Sequence, residues 1–355
     1  MLGTDRRAAS YTWTAALVVL LLWLVYLARV TLFIFVLALL FAYVLSPLVN
    51  LLDRVLPAQR TRTPALGLAY LLFVAAVIAG SIQIGSRAVD EANNLATKFP
   101  AMLASWQTPT PEGAQGTHSL RDELMGKIRT EVAARSSDLI SELPKAGLKA
   151  IAVASDLIYV VIIPILGFFF LKDAPLMRQH ILDIVAEGPR RALLDEVLAD
   201  INRLLAGYMR ALVLLSLATF TVYAIFFSIL GVPYAVLLAA LAGLLEFVPM
   251  IGPLTAGAVI VVVAVLAGAH GIAVLIFLLA YRLFQDYILS PHIMAQGVAL
   301  HPLLVMFGVF AGAEVAGIPG AFLSVPVLAL ARILYVRIRK ARREAHAPAS
   351  AAAQP

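Results

Sequence analysis

Apolar runs long enough to cross a membrane follow one another along this chain, and they limit its fold more than any other feature. They lie at roughly 13–28, 30–48, 65–84, 150–171, 210–230 and 271–289, and none holds more than two charged residues. A bilayer core of about 30 Å takes about 20 helical residues at about 1.5 Å each, so these lengths fit spans. Their continuity points to helices, because a barrel strand would alternate apolar with polar positions. The expected class is all-α: a polytopic membrane helical bundle of about eight transmembrane segments. Composition agrees, with 62% hydrophobic and 14% charged residues, where soluble domains are about half apolar and about a quarter charged. The chain has no cysteine, which excludes disulfides and thiolate metal sites.

Five regions are expected. Residues 1–86 hold N-terminal transmembrane helices. Their first two runs, interrupted only by Arg29, read as an uncleaved hairpin, and "DRVLPAQRTRTP" (53–64) leads to a third span. Residues 87–149 read as an extracytoplasmic helical segment with eight basic and eight acidic residues, jointed by "QTPTPEGAQGTHS" (107–119). Residues 150–230 hold transmembrane helices and a cytoplasmic amphipathic helix over 189–208, with Leu194, Val197, Leu198, Ile201, Leu205 and Tyr208 on one face. Between them, "FFFLKD" (168–173) reads as an anchor: Lys172 snorkels and Asp173 caps the next helix. Residues 231–336 form a core of broken helices, with apolar halves at 234–248 and 254–268 and a last run, 301–336, interrupted by "GAEVAGIPG" (312–320). Residues 337–355 are expected to be a basic, disordered cytoplasmic tail. Six basic residues from Arg332 to Arg343, less Glu344, supply +5 of the net +6. Such a juxtamembrane cluster speaks of topology and anionic lipid rather than nucleic acid.

Basic residues mark the cytoplasmic side. Arg6, Arg7, Arg54, Arg60, Arg62 and the C-terminal cluster therefore place both termini in the cytoplasm of a multi-pass protein in the cell (inner) membrane. An even number of crossings follows, but each broken pair supplies two or none. Halves of about 14–18 residues reach roughly 21–27 Å, short of the hydrocarbon core, which favours re-entrant hairpins and leaves full helices open.

Candidate site residues concentrate at the breaks. Glu246, in "LLEFVPMIGPL" (244–254), is a carboxylate within an apolar run. Such a group faces a cavity or partner, or else sits at the interface near its helix end. Pro249 and Pro253 remove two backbone donors and leave carbonyls unpaired, and Gly252 allows the chain to turn. Arg282 and Asp286 share a helical face with Gln285 between them, either as a structural ion pair or as a gate. His301 begins the last element with Pro302, either as a pH-responsive group or as a plain helix start. Glu314 lies in the second break, at a hairpin tip or in an outer loop. Gly317, Gly320 and Pro326 are expected to serve hinge and packing roles.

Four motifs, in order, carry a resemblance: "IPILGFFFLKD" (163–173), "EFVPMIGP" (246–253), "DYILSPHIMAQGVALHPLLVMF" (286–307) and "GIPGAFLSVPVLA" (317–329). Over nearly the whole chain they resemble the autoinducer-2 exporter family of bacterial and archaeal membrane proteins. The resemblance implies a multi-span transporter that exports a small polar organic solute such as autoinducer-2, coupled to protons or sodium. The alternative it implies is a sodium/proton antiporter using Glu246 and Asp286, and it further implies a homo-oligomer, with a pentamer as one form. Its partners would be solute, H+ or Na+, and membrane lipid, with no nucleic acid and no cofactor. No Walker motif, HExxH or GxSxG occurs, so neither an ATP engine nor an enzyme is expected. A scaffold using 87–149 is the remaining class.

Overall fold

A computed structural model describes residues 6–56, 63–107, 157–268, 271–293 and 300–346, all of them helical or in short links between helices. The elements are α1 (Arg6–Leu27), α2 (Arg29–Val55), α3 (Thr63–Gly80), α4 (Ser86–Gln107), α5 (Leu157–Asp183) and α6 (Pro189–Leu230). After these come α7 (Ala235–Leu245), α8 (Ile251–Leu266), α9 (Gly271–Phe284), α10 (Ser290–Ile293) and α11 (Pro302–His346). The all-α polytopic bundle is what the apolar runs dictate: seven helical stretches are long and apolar enough to cross a membrane, and α7 and α8 are shorter. Residues 57–62, 108–156 and 347–355 lie outside the described residues, and with them Arg60 and Arg62, most of the 87–149 segment and the end of the tail, whereas 337–346, expected to be disordered, continue the last helix.

The expected N-terminal hairpin is replaced by two helices in series. Ala28 N–H donates to Leu24 O and Leu32 N–H to Ala28 O, both at 2.9 Å, so the helical ladder passes through the junction and the chain does not reverse there. α1 stays exposed along its whole apolar window. α3 likewise runs into α4 through a π turn, Ser81–Gly85, so no joint marks residue 86. α4 then seats Leu95 and Phe99 in the main core. Its Glu91 carboxylate accepts Leu237 N–H at 2.8 Å in the first turn of α7, satisfying an orphan donor there.

Two further expectations change. Asp173 is not a helix cap, because α5 continues through Lys172, Asp173 and Pro175 to Asp183; a proline removes one donor but a well-packed helix survives it. The amphipathic stretch 189–208 is not a separate helix but the first half of the 42-residue α6. Its apolar face packs Leu205, Met209 and Leu212 against Leu40 of α2. Its acids face other helices: Asp195 pairs with Arg178 of α5 at 2.6 Å, and Asp200 pairs with Arg337 of α11 at 2.6 Å.

α6 ends at Gly231 (φ 67°), where Val232 N–H returns to Phe227 O at 2.9 Å, a cap that only a left-handed residue closes without strain. The chain then folds α7 back along α6. Gly243 makes the approach possible: a Cβ there would stand 3.1 Å from Ser216 O, and Ser216 Oγ donates to Gly243 O at 2.7 Å. Around this contact the main core forms from Tyr223 and Phe227 of α6, Leu238 of α7, Ile260 and Val263 of α8, and Val274 and Tyr281 of α9.

Both broken elements are helical hairpins. A Cβ on Gly252 would run into the Leu245 carbonyl, so α8 starts hard against the end of α7. At about 1.5 Å per residue, the 11 residues of α7 and the 16 of α8 extend about 16 and 24 Å, less than a bilayer core. α11 reverses at Ala316 and Gly317 (φ 64°, ψ −147°), a conformation essentially confined to glycine. Its arms touch where a Cβ on Gly312 or Gly320 would strike the other's carbonyl. The two hairpins meet, with Val248 of the first break packed among Val309 and Ala321 of the second.

Candidate functional site

The first break is built from a chain of local turns. Val248 N–H bonds Leu245 O at 2.9 Å, Ile251 N–H bonds Pro249 O at 2.7 Å and Gly252 N–H bonds Val248 O at 3.0 Å. In an unbroken helix Leu245 O and Pro249 O would have served residues 249 and 253, which are prolines. Both carbonyls are thus taken up by turns, and the expectation that the prolines leave them unpaired is corrected. The Pro249–Ile251 bond spans one residue, Met250, at φ 64° and ψ −55°. That is a γ-turn of the strained hand, unusual for a side-chain-bearing residue.

This turn delivers Glu246 to a buried position, with 8% of its surface exposed. One carboxylate oxygen accepts a hydrogen bond from Gln285 Nε2. The other accepts from Thr219 Oγ1 at 3.4 Å. Thr219 in turn meets the Tyr281 hydroxyl at 3.1 Å. The chain Gln285–Glu246–Thr219–Tyr281 joins α6, the first break and α9. It sits beside the aromatic cluster of Tyr223, Phe277 and Tyr281. Gln285 opens a π turn, Gln285–Leu289, in which Ser290 N–H reaches back to Gln285 O; π turns re-aim side chains and recur at functional sites. Gln285 is turned inward and buried, while Arg282 and Asp286 pair at 2.9 Å with both side chains half-exposed.

One cavity of about 830 Å³ is lined by Glu246, Gln285, Arg282 and Asp286, but not by Thr219 or Tyr281. Of the residues expected from sequence, Glu246, Pro249, Pro253, Arg282, Gln285, Asp286 and Pro326 line it. Gly252 shapes the turn behind the wall. His301 lies outside and accepts Leu303 N–H at Nδ1, 3.3 Å, which is the geometry of a helix start. Glu314 is exposed beside the tip of the second hairpin, away from the cavity lining. Gly317 makes the hairpin's reversal and Gly320 its close contact. Sequence reasoning missed Thr219 and Tyr281, and it missed the α6 wall of Arg203, Tyr208 and Arg210. The available signal was polar and charged residues at helical spacing within or beside a span. A second cavity of about 650 Å³, lined by Lys172, Asp173, Thr63 and Asn202, shares Ser46 and Asn50 of α2 with the first. Among the described residues no group of acidic, histidine or cysteine side chains is arranged to hold a metal ion.

Apolar helices enclosing a cavity that carries charged and polar side chains on its wall, behind two broken hairpins, define a multi-pass membrane transporter. Residues 15–340 match the AI-2E family transporter description, and the chain belongs to that family. It is 30% identical over 341 residues to "Putative transport protein MT0215" of Mycobacterium tuberculosis, covering 91% of this chain and 88% of that protein. To "Putative transport protein YrrI" of Bacillus subtilis it is 27% identical over 183 residues, 51% of this chain and 52% of the relative, so the match spans about half of that protein's length. "Putative permease PerM" of Escherichia coli K12 is 26% identical over 194 residues, 54% of this chain and 53% of the relative.

Proposed function

We propose that the chain is a secondary transporter exporting a small polar organic solute, an autoinducer-2-like signal being the first to try, through the cavity between α6, α9 and the two hairpins. The observation that carries this reading is Glu246: a carboxylate held at a helix break on the wall of that cavity by partners from two other helices. Opposed broken helices around a central site are a recurrent transport design, in which one element rocks against a fixed scaffold. Hairpin tips closed by glycines and turns, not by continuous ladders, supply the moving part.

A second reading, sodium/proton antiport, is favoured by the two carboxylates on the same wall, Glu246 and Asp286, which could exchange cation for proton. Both readings are tested in proteoliposomes carrying a pH-sensitive dye, with sodium and an autoinducer-2-like furanone added in turn. Export of the furanone that falls at least tenfold in Glu246→Gln supports the first. A sodium-driven proton signal lost in Glu246→Gln or Asp286→Asn supports the second. Movement of neither substrate in the wild-type chain refutes the furanone and antiport assignments and strengthens the scaffold reading.

The end of the bundle holding Arg54, Arg203, Arg337 and Arg339 is assigned to the cytoplasm on its positive charge, and with it the C-terminus. A cytoplasmic N-terminus, expected from Arg6 and Arg7, requires α1 to turn back beside α2 at Ala28. Because the chain has no cysteine, single cysteines at Ser10 and at Arg339 can be labelled from either side: matching sidedness supports the turn, opposite sidedness refutes it. A homo-oligomer is the arrangement in which a neighbouring copy would cover α1, and cross-linking in native membranes tests it.

A further inference from the structure

The charges on the cavity wall do not cancel. Arg203, Arg210 and Arg282 line the cavity together with Glu246 and Asp286, three positive groups against two negative, and the two carboxylates are already engaged. Glu246 accepts from Gln285 and Thr219, and Asp286 is held by Arg282 at 2.9 Å. Arg203 stands 3.8 Å from Asp200 with 71% of its side chain exposed. That carboxylate is held more closely by Arg337, whose Nε reaches it at 2.7 Å. Arg210 makes no ion pair or hydrogen bond with any described residue. Two guanidinium groups are therefore uncommitted or nearly so.

Their placement is regular. Arg203, Gly207 and Arg210 lie at i, i+4 and i+7 of α6 and share one face. Gly207 is the gap between them, since a Cβ built there meets nothing within 4 Å. A glycine in the interior of a 42-residue helix costs about 1 kcal/mol against alanine without a packing contact to explain it, and here it leaves a trough flanked by two cations. On the adjoining face Tyr208 also lines the cavity, and its buried hydroxyl finds no partner among the described residues.

We propose that the solute of this cavity is a small organic anion, whose carboxylate or phosphate docks over Gly207 between Arg203 and Arg210. This rests on the reading of the cavity as the transport site and narrows its solute to an anion, in place of the uncharged furanone. Guanidinium forks match the paired oxygens of carboxylate and phosphate. The Tyr208 hydroxyl is left for a polar group on the rest of the molecule, and Leu212, Leu215 and Val325 offer it an apolar wall. A phosphate on a lipid headgroup carries the same chemistry, so the test separates the two.

The experiment uses the full chain, purified and reconstituted in phosphatidylcholine with and without phosphatidylglycerol. Probes are succinate, glycerol 3-phosphate and uncharged ribose at millimolar concentration, read as counterflow and as a shift in thermal unfolding. The expected result is binding and counterflow of at least one anion. Its apparent affinity falls about tenfold or more in Arg210→Gln, is partly kept in Arg210→Lys, and is lost in Gly207→Leu without loss of thermal stability. Ribose moving while both anions fail, or anions moving equally well in Arg210→Gln, overturns the anion site and leaves the transport reading intact. Arg210-dependent anion binding with no movement of any probe keeps the site and overturns transport. Stabilisation by phosphatidylglycerol alone, lost in Arg210→Gln, makes this a headgroup site and overturns the solute assignment. No response to any probe overturns it as well.

Discussion

Replacing Gly252 by alanine tests the first hairpin with an internal control. The new Cβ would stand 2.7 Å from the Leu245 carbonyl carbon and closer still to its oxygen. Carbon atoms rest at about 3.5–4.0 Å, so α8 must retreat by about 0.8 Å or more. The retreat pulls on Gly252 N–H bonded to Val248 O at 3.0 Å and on the turn closed by Ile251 N–H. Overfilling a close contact of this kind costs about 1–3 kcal/mol. Gly257, five positions along the same helix, meets nothing within 4 Å, and alanine there gains up to about 1 kcal/mol in helix propensity. The same chemical change should thus move stability in opposite directions. Thermal unfolding of the purified chain reads it: at about 2–4 °C per kcal/mol, or less in a chain of this length, Gly252→Ala should melt about 2–10 °C below wild type. Gly257→Ala should melt at or slightly above it. Flux should fall in Gly252→Ala alone, because Glu246, Pro249 and Met250 on the cavity wall shift with the turn. Gly252→Ala as stable as wild type, with Gly257→Ala the weaker of the two, would refute the hairpin geometry.

Met250→Gly should raise the unfolding temperature, because glycine relieves a φ of 64° that costs a side-chain-bearing residue about 1–3 kcal/mol; a lower temperature would show that the Met250 side chain matters more than its strain. Gln285→Leu should destabilise by about 1–3 kcal/mol, since a buried carboxylate oxygen of Glu246 loses its donor. Adding Glu246→Leu should recover part of that loss, and simple additivity of the two changes in a double-mutant cycle would sink the coupling. Arg337→Ala removes the tie between α11 and the start of α6. With its carboxylate partners 22% and 55% exposed, the loss should be about 1 kcal/mol and should shrink as salt screens the pairs. An effect insensitive to salt would assign Arg337 a packing role.

Much of the site is legible in the sequence. Glu246 and its prolines stood out because hydrocarbon tolerates neither an idle carboxylate nor a missing donor, and Arg282 and Asp286 lie at a pairing distance set by helix geometry alone. Partners from distant segments were not legible. Thr219 lies 27 residues from Glu246 and Gln285 lies 39 away, and no local pattern announces that three helices bring them together. The proline carbonyls were misread for a related reason: a missing donor is visible in sequence, but whether a γ-turn reuses the acceptor depends on the backbone path.

The order of helices, their membrane class and the two breaks follow from the sequence alone, because hydrophobic length and proline or glycine placement act on each segment independently. What only the tertiary structure decided is how segments continue and meet. Ala28 carries the ladder on where a hairpin was expected, α6 absorbs an amphipathic stretch into a span, and α11 closes on itself through Gly312 and Gly320. The surplus of positive charge on the cavity wall also belongs to the tertiary structure. A guanidinium's commitment depends on which carboxylate reaches it, and Arg337, 137 residues from Asp200, is what leaves Arg203 nearly free.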